Sequence, residues 1–329
     1  MIPSAQELAL IDRWQRDFPL VERPFAAAGA PLGLDETETV DTFRQLQAAG
    51  VISRIGAVIA PRTVGASTLA AMQVPPERFE AVAALINAEP GVNHNYERTH
   101  AFNLWFVVTG PDSDAVKATL DRISKATALA VIDLPLVSAY HIDLGFSLSG
   151  ERRRDDEARG AAAAGAPDVL DRTLLAAIEE GLPFVARPYS DVAGRIGIAE
   201  SDLIGRLQRL LASGVVSRLG CVVRHRALGY TANAMAVWDL PDERIDAIAA
   251  AFARDPRVSL CYRRPRRLPD WPFNLFCMVH ARTRAEAHIV IDALNRSAAT
   301  QDYAQHVLFS TRCFKQRGAS YFHGTGGLH

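Results

Sequence analysis

Hydrophobic and polar positions repeat along the chain with two periods, and the two periods follow each other in the same order in both halves. In the first half, a helical period over residues 6–17 and 35–49 precedes a strand period over residues 51–59. Apolar residues three and four apart predict helices, whereas alternation at every second residue predicts a strand. Asp35 is placed to cap the second helix and Gly50 to end it. Helices followed by one strand in this order predict a winged helix.

The remainder of the first half predicts a strand, a helix, two strands, a helix and a final strand. These elements cover residues 67–73, 77–88, 92–97, 102–108, 113–126 and 131–141. The order is that of the ferredoxin-like split βαβ fold. A four-stranded sheet with helices on one face needs a partner for its other face.

The second half repeats the first. AAGVISRIGAVI at 48–59 matches ASGVVSRLGCVV at 212–223, and PGVNHNYER at 90–98 matches PRVSLCYRR at 256–264. FNLWFVV at 102–108 also matches FNLFCMV at 273–279. The predicted elements of the second half cover residues 169–180, 200–212, 215–223, 231–238, 242–253, 258–262, 273–279, 284–296 and 302–314.

This duplication predicts an α+β fold of two tandem repeats, each a winged helix-turn-helix domain followed by a ferredoxin-like βαββαβ domain. The two sheets are expected to pack as a pseudo-dimer within one chain. The predicted boundaries are a winged helix-turn-helix domain at 1–62, a ferredoxin-like domain at 63–148, a linker at 149–168, a winged helix-turn-helix domain at 169–226 and a ferredoxin-like domain at 227–323.

Candidate chemistry is concentrated in residues 90–108. His94, Tyr96, Arg98 and His100 follow one another at spacing two. If the strand is regular, all four side chains share one face, although the turn before Phe102 could break this arrangement. A histidine is the natural proton donor near neutral pH. We therefore expect His94 first and His100 second as catalytic residues.

The second copy of this stretch shares the tyrosine and the arginine but lacks the histidines. Tyr262 aligns with Tyr96 and Arg264 with Arg98, whereas Leu260 stands where His94 would be. Arginines are also clustered here without any acid, at positions 257, 263, 264, 266 and 267. Such a cluster suits a polyanion, because arginine binds carboxylates with two parallel hydrogen bonds. For Arg266 and Arg267, a solvated loop is an equally good interpretation.

Composition excludes several classes of protein. A net charge of −1 gives no general attraction to nucleic acid or to anionic membranes, and no apolar run reaches the roughly 18 residues of a spanning helix. The first 20 residues lack a secretory pattern, so a cytoplasmic protein is expected. The four cysteines form no CxxC pair, which argues against a zinc cluster or a disulfide framework.

The motifs HNYERTHAFNLWFVV, LCYRRPRRLPDWPFNLFCM and YHIDLGF resemble those of the siroheme decarboxylases, most closely the fused two-half forms of heme d1 biosynthesis. The architecture as a whole resembles the Lrp/AsnC transcription regulators. The first resemblance implies loss of CO2 from the C12 and C18 acetates of siroheme, giving 12,18-didecarboxysiroheme. It implies that the protein binds siroheme and does not associate with a membrane. It also implies that the chain could form a homo-oligomer or associate with partner siroheme decarboxylase subunits.

On this interpretation, Tyr96, Arg98, Tyr262, Arg263, Arg264 and Trp271 bind substrate, with His141 and Arg312 as additional candidates. No separate cofactor is expected, because the iron tetrapyrrole can act as the electron sink and its iron belongs to the substrate. The protein alone is expected to hold no metal, although a histidine could ligate the substrate iron axially.

The alternative is a transcription regulator that binds DNA and a small ligand or heme. DNA binding depends on cations that neutralise phosphates. Residues 1–60 carry eight acidic residues against five arginines, and the presumed recognition helix begins with Asp35, Glu36, Glu38 and Asp41. DNA is therefore not expected as a partner.

Overall fold

The computed structural model describes residues 3–142, 166–319 and 321. It divides into two compact units, and each half of the sequence contributes to both. A helical unit comprises Met1–Val64 and Gly145–Leu228, and a sheet unit comprises Gly65–Leu144 and Gly229–His329. Among the described residues, no helix has the length and apolar character needed to cross a bilayer. Most of the predicted linker lies outside the described residues.

The helical unit contains the same succession of elements from each half. They are α1 (Ala5–Arg13), α2 (Pro24–Gly29), α3 (Glu36–Ala48) and β1 (Ile52–Ile59), then α6 (Val169–Ala177), α7 (Pro188–Ile196), α8 (Glu200–Ala212) and β7 (Val216–Val223). Local sequence explains the helix ends. Asp35 accepts a hydrogen bond from the N–H of Glu38 and completes a capping box, while Gly50 and Gly214 adopt positive φ angles of 72° and 74° after α3 and α8.

The predicted wing takes a different form. A single strand follows the last helix of each half, and β1 pairs antiparallel with β7 of the other half. Ile55 lies opposite Cys221 and Gly56 opposite Gly220 in this ribbon. An isolated strand leaves a row of backbone groups unpaired, and its duplicate satisfies them. The two repeats are thus joined by backbone hydrogen bonds within the helical unit.

The sheet unit contains two ferredoxin-like repeats. The first consists of β2 (Ala66–Met72), α4 (Phe79–Ala88), β3 (Val92–Arg98), β4 (Leu104–Gly110), α5 (Ser113–Thr127), β5 (Val131–Pro135) and β6 (Ser138–Ile142). The second consists of β8 (Ala232–Trp238), α9 (Ile245–Ala253), β9 (Val258–Arg263), β10 (Leu275–Ala281), α10 (Arg284–Ala298) and β11 (Gln305–Gln316).

The final strand of each repeat crosses into the other repeat. The first part of β11 pairs with β8 of its own repeat, and its second part, from Ser310 to Gln316, pairs with β3. Likewise β5 pairs with β2, whereas β6 pairs with β9. The strand predicted over residues 131–141 is therefore interrupted at Leu136 and Val137. The strand order is β5-β2-β4-β3-β11-β8-β10-β9-β6, so the two strands at its ends, β5 and β6, follow each other in the chain.

The core of this unit has three parts. Each repeat packs its two helices on the outer face of its own strands, and the inner faces enclose a third, shared cluster. We call this shared set the central cluster; its buried members are Ala71, Phe102, Trp105, Leu134, Met235, Val237, Trp271, Phe273, Phe276 and Leu308. Because both repeats contribute to it, the predicted pseudo-dimer within one chain is confirmed.

Candidate active site

Three of the four alternating side chains form a row on the inner face of β3. Tyr96 lies opposite Trp105 of the central cluster, whereas the intervening Asn95 points outward and donates to the carbonyl of Ala83 on α4. His94 Nδ1 lies 3.2 Å from the Tyr96 hydroxyl, and the two rings stack with centroids 5.9 Å apart. The Arg98 guanidinium lies 5.7 Å from the Tyr96 ring centroid. Alternation thus correctly places His94, Tyr96 and Arg98 together.

Arg98 is a buried cation. Its side chain is only 8% exposed, its Nη1 donates to the carbonyl of Leu308 at 3.2 Å, and its Nε has no hydrogen-bond partner. Among the described residues no carboxylate pairs with it. Burial lowers the pKa of Arg98 to about 10, an effect that Tyr96 and Tyr262 partly offset. A buried charge of this kind favours an anionic ligand, since the missing hydrogen bond and the missing countercharge would be supplied together.

The second repeat contains an equivalent pair on β9. The Arg264 guanidinium lies 5.0 Å from the Tyr262 ring centroid, and its Nη1 donates to the carbonyl of Leu134 in the last strand of the other repeat. Its Nε is also without a partner, and burial lowers its pKa to about 10. Burial raises the pKa of Tyr262, and Arg98 lies close enough to lower it in part. The two tyrosine–arginine pairs therefore belong to one interior.

His100 does not continue the row, contrary to the simplest form of the alternation. Strand β3 ends at Arg98, whose N–H bonds to the carbonyl of Asn103, and the tight turn that follows redirects the next residues. His100 lies beside Trp271, with ring centroids 5.4 Å apart, and its Nδ1 accepts a hydrogen bond from the backbone N–H of Phe102 at 3.0 Å. Burial lowers the pKa of His100, and the nearby His306 lowers it further.

Trp271 lies at the centre of the aromatic cluster. Its side chain is fully buried, and its ring lies 5.0 Å from those of Trp105 and Phe273. Its indole Nε1 has no hydrogen-bond partner. The loop that carries it is fixed by reciprocal backbone hydrogen bonds between Arg267 and Trp271, each 2.7 Å long. A large apolar wall with one free donor would suit a flat ligand that carries polar groups at its edge.

Three predicted binding residues lie apart from this interior. Arg263 alternates with Tyr262 and Arg264, so it points to the other face of β9, where its Nη2 lies 3.0 Å from Asp242 Oδ1. Arg312 lies over the outer face, where it bonds to Glu97 at 2.6 Å and to Glu80 at 2.5 Å. His141 is half-buried on β6, opposite Cys261. Arg263 and Arg312 therefore neutralise carboxylates of the protein itself.

Arg266 also has protein partners, in contrast to the solvated loop considered for it. It bonds to Asp239, Asp242 and the carbonyl of Leu240. Burial works against its charge, but the hydrogen bonds to the two aspartates raise its pKa above the usual value. Arg266 lies in the longer loop of the second repeat, where these contacts fix the hairpin.

Sequence reasoning missed His306. It lies at the beginning of β11, its ring centroid 5.1 Å from that of His100 and 5.0 Å from that of Phe273. The sequence offered only a weak signal, namely a histidine on the final predicted strand. The strand exchange that brings β11 beside the first repeat cannot be read from local periodicity.

In the helical unit, the arginines of the presumed recognition helix α8 are occupied by aspartates. Arg206 and Arg209 lie 2.7 Å and 2.6 Å from Oδ1 of Asp171, which is fully buried. Arg206 also contacts Asp168 at 2.8 Å. The corresponding helix of the first repeat, α3, begins with Glu36 and Glu38. Few cations therefore remain for DNA phosphates on these helices, which agrees with the expectation from charge.

Family models match both kinds of domain twice. Residues 64–141 and 227–315 match the AsnC-like ligand binding domain, and residues 7–52 and 171–216 match the siroheme decarboxylase NirDL-like HTH domain. The siroheme decarboxylase NirDL subunit of Paracoccus denitrificans is 46% identical over 320 residues, covering 95% of this chain and 96% of that protein.

Shorter relatives match one half of the chain. The siroheme decarboxylase NirD subunit of Stutzerimonas stutzeri is 50% identical over 139 residues, which cover 42% of this chain and 91% of that protein. The NirL subunit of the same organism is 45% identical over 144 residues, which cover 44% of this chain and 85% of that protein.

Among solved structures, the siroheme decarboxylase NirDL matches with a TM-score of 0.69 at 29% identity, covering 96% of this chain and 94% of that one. Its complex with an iron-uroporphyrin III analogue matches with a TM-score of 0.68 at 28% identity, covering 96% and 93%.

Proposed function

The chain belongs to the siroheme decarboxylase family of the NirDL type, and on that premise we propose that it removes CO2 from the C12 and C18 acetates of siroheme. The product would be 12,18-didecarboxysiroheme, an intermediate on the way to heme d1. The observation that carries the proposal is a pair of arginines, buried Arg98 and half-buried Arg264, each with an unpartnered Nε beside the aromatic rings of the central cluster. Siroheme is a flat macrocycle with carboxylates around its edge.

The two arginines would bind carboxylates that do not react. An arginine on the reacting acetate would stabilise the ground-state anion more than the transition state, in which the charge is leaving the carboxyl group, and would therefore oppose catalysis. Arg98 and Arg264 are thus assigned to other side chains of the macrocycle. The reacting acetate would lie against the apolar surface of Trp105, Trp271 and Phe273, where water is excluded.

The chemistry requires an electron sink and a proton. Loss of CO2 leaves carbanion character on the methylene carbon, which the iron tetrapyrrole can delocalise, so the proposal includes no separate cofactor. His94 is the first candidate to protonate that carbon, and Tyr96 would fix the orientation of its ring through the 3.2 Å contact. His100 is the second. The alternative role for either histidine is axial ligation of the substrate iron.

We assign one catalytic site to each chain. Leu260 replaces His94 in the second repeat, and no histidine of the second hairpin replaces His100. The two acetates would then react one after the other, after the macrocycle turns or rebinds. The fused chain joins halves that resemble the separate NirD and NirL subunits, and it would supply both in one molecule.

The experiment that tests this function is an incubation of the purified protein with siroheme without oxygen. The masses of the tetrapyrroles are then measured over time. We expect siroheme to lose one CO2 and then a second. If siroheme is neither bound nor changed in mass, the proposed function is overturned. If siroheme is converted only after a second protein is added, the claim that this chain supplies both halves is overturned.

A further inference from the structure

The described part of the sheet unit brings two imidazoles together from different repeats. His100 belongs to the turn after β3, and His306 to the start of β11, and their ring planes meet at 81° with centroids 5.1 Å apart. His100 packs against Trp271, and His306 against Phe273. Both histidines therefore border the aromatic wall at which the reacting acetate was placed. In the other repeat, Ile132 stands at the position of His306 by strand pairing, and the loop at 265–272 contains no histidine.

The backbone determines which of the two rings stays neutral. The N–H of Phe102 can only donate, so the Nδ1 of His100 that accepts from it must be unprotonated. The proton of neutral His100 is then on Nε2. Protonation of Nδ1 would break this hydrogen bond, and burial together with the neighbouring His306 also lowers the pKa of His100. His100 is therefore a neutral hydrogen-bond donor in the resting protein.

His306 is exposed, whereas His100 is half-buried. An exposed imidazole exchanges protons with water directly. Because the Phe102 hydrogen bond occupies Nδ1 of His100, His306 is the ring of the pair that can deliver a proton taken from solvent.

We propose, on the basis of the decarboxylation proposed above, that His306 is a further catalytic residue that supplies a proton from solvent to the methylene carbon. The bond between the methylene carbon and the carboxyl carbon breaks, CO2 leaves, and the electron pair remains on the methylene carbon. That pair takes the proton of the His306 imidazolium and forms a methyl group. Neutral His306 then takes a proton from water, and His100 holds the reacting group through Nε2. On this proposal His306 rather than His94 protonates the carbon, and His94 takes the alternative role given above, axial ligation of the substrate iron.

The test is chemical rescue of His306→Ala. The variant should release CO2 from siroheme about 100-fold more slowly than the wild type, the lower end of what a general acid contributes, with little change in siroheme affinity. Imidazole added to the buffer should restore the rate in proportion to its concentration, since the vacated position is open to solvent. His306→Gln, which keeps the size of the side chain but cannot act as an acid, should be equally slow.

His288→Ala is the matched control. His288 is also exposed and also packs on an aromatic ring, that of Phe309 at 5.4 Å, but it belongs to α10 on the outer face. The His288→Ala variant should release CO2 from siroheme at the same rate as the wild type. A rate for His306→Ala within about twofold of the wild type, or a slow rate that imidazole does not restore, would contradict the role of His306. A wild type that binds siroheme but releases no CO2 would instead overturn the proposed function, and this inference with it.

Discussion

The two hairpins of the sheet unit share a binding pair but differ in their histidines. Each has a tyrosine followed two residues later by an arginine that donates to a leucine carbonyl of the opposite repeat. Only the first hairpin has His94 and His100. In the second, Leu260 stands at the position of His94, and the longer loop has no histidine but carries Arg266, which is bound to aspartates. Features kept in both copies therefore indicate binding of a ligand with carboxylates on several sides, and features present in one copy indicate the chemistry.

The helical unit shows a similar divergence at the first helix of each repeat. Glu7 of α1 and Asp171 of α6 occupy equivalent positions in two capping boxes. Asp171 is also bound by Arg206 and Arg209 of α8, whereas Thr42 and Gln45 stand at the equivalent positions of α3. The second repeat thus adds an ion-pair network to a cap that both repeats share.

The largest effect on stability is expected for Asp171→Asn, which should lower the free energy of unfolding by about 3 kcal/mol, because two guanidinium groups would lose a buried carboxylate. Burial alone would raise the pKa of Asp171, but hydrogen bonds from Arg209 and Arg206 lower it overall. The contribution is therefore present at neutral pH and is lost as the pH falls through that lowered pKa. Denaturant unfolding of the wild type and the variant at neutral pH measures the loss of stability, and the same measurement at acidic pH shows whether the contribution of Asp171 disappears.

The matched control is Glu7→Gln in the first repeat. Glutamine also completes a capping box, so the loss should be less than about 0.5 kcal/mol. Equal losses in the two variants would show that the Asp171 network contributes nothing beyond the shared cap.

The next effect concerns siroheme binding by the two arginines that follow the tyrosines. Arg98→Met and Arg264→Met should each raise the Kd of siroheme by about 10- to 100-fold, because a hydrogen bond to a charged group contributes about 1.5–3 kcal/mol. Absorbance titration without oxygen measures the affinity. Arg263→Met serves as the control, since Arg263 pairs with Asp242 on the outer face, and should change the Kd by less than about twofold. A similar loss in all three variants would remove the distinction between the two faces of β9.

Of these substitutions, Arg98→Met should also stabilise the protein without siroheme by about 1 kcal/mol, because it removes a buried charge that has no countercharge among the described residues. Burial lowers the pKa of both arginines to about 10, so the unfolded chain holds these protons more tightly than the folded chain above that pH. The contribution of these two groups to the free energy of unfolding of the wild type should therefore rise as the pH increases above about 10. Urea unfolding of the ligand-free proteins tests this, and a less stable Arg98→Met variant would show that Arg98 serves the fold.

The smallest effect is on the titration of His100. His306→Ala should raise the pKa of His100, because it removes a neighbouring positive charge and opens the ring to water. NMR titration of labelled histidine, with His288→Ala as the reference, measures the change. An unchanged or lower pKa of His100 would show that the two imidazoles do not interact electrostatically.

Local signals in the sequence predicted much of the fold. The spacing of apolar residues placed α8 at residues 200–212, as observed, and Asp35 and Gly50 marked the ends of α3 because capping depends on neighbouring residues alone. The duplication predicted the pseudo-dimer. The exchange of β6 and β11 was not predicted, since pairing between distant strands depends on register across the whole unit.

The site was predicted only in part, because local periodicity shows which residues share a strand face but not where strands end or pair. Alternation placed His94, Tyr96 and Arg98 on one face, because β3 continues to Arg98. It could not show that the strand ends there and turns His100 toward Trp271, or that Arg263 and Arg264 serve opposite faces. His306 reaches the site only through the strand exchange.

The central claim is that both decarboxylations require the two histidines of the first hairpin, His94 and His100. The most direct test is the mass of the tetrapyrrole after prolonged incubation of siroheme with the double variant His94→Ala/His100→Ala, whose binding of siroheme is confirmed separately. We predict that siroheme loses no CO2 while the wild type removes two. Loss of one CO2 by the variant would reveal a second site in the other hairpin, and loss of two would contradict the claim altogether.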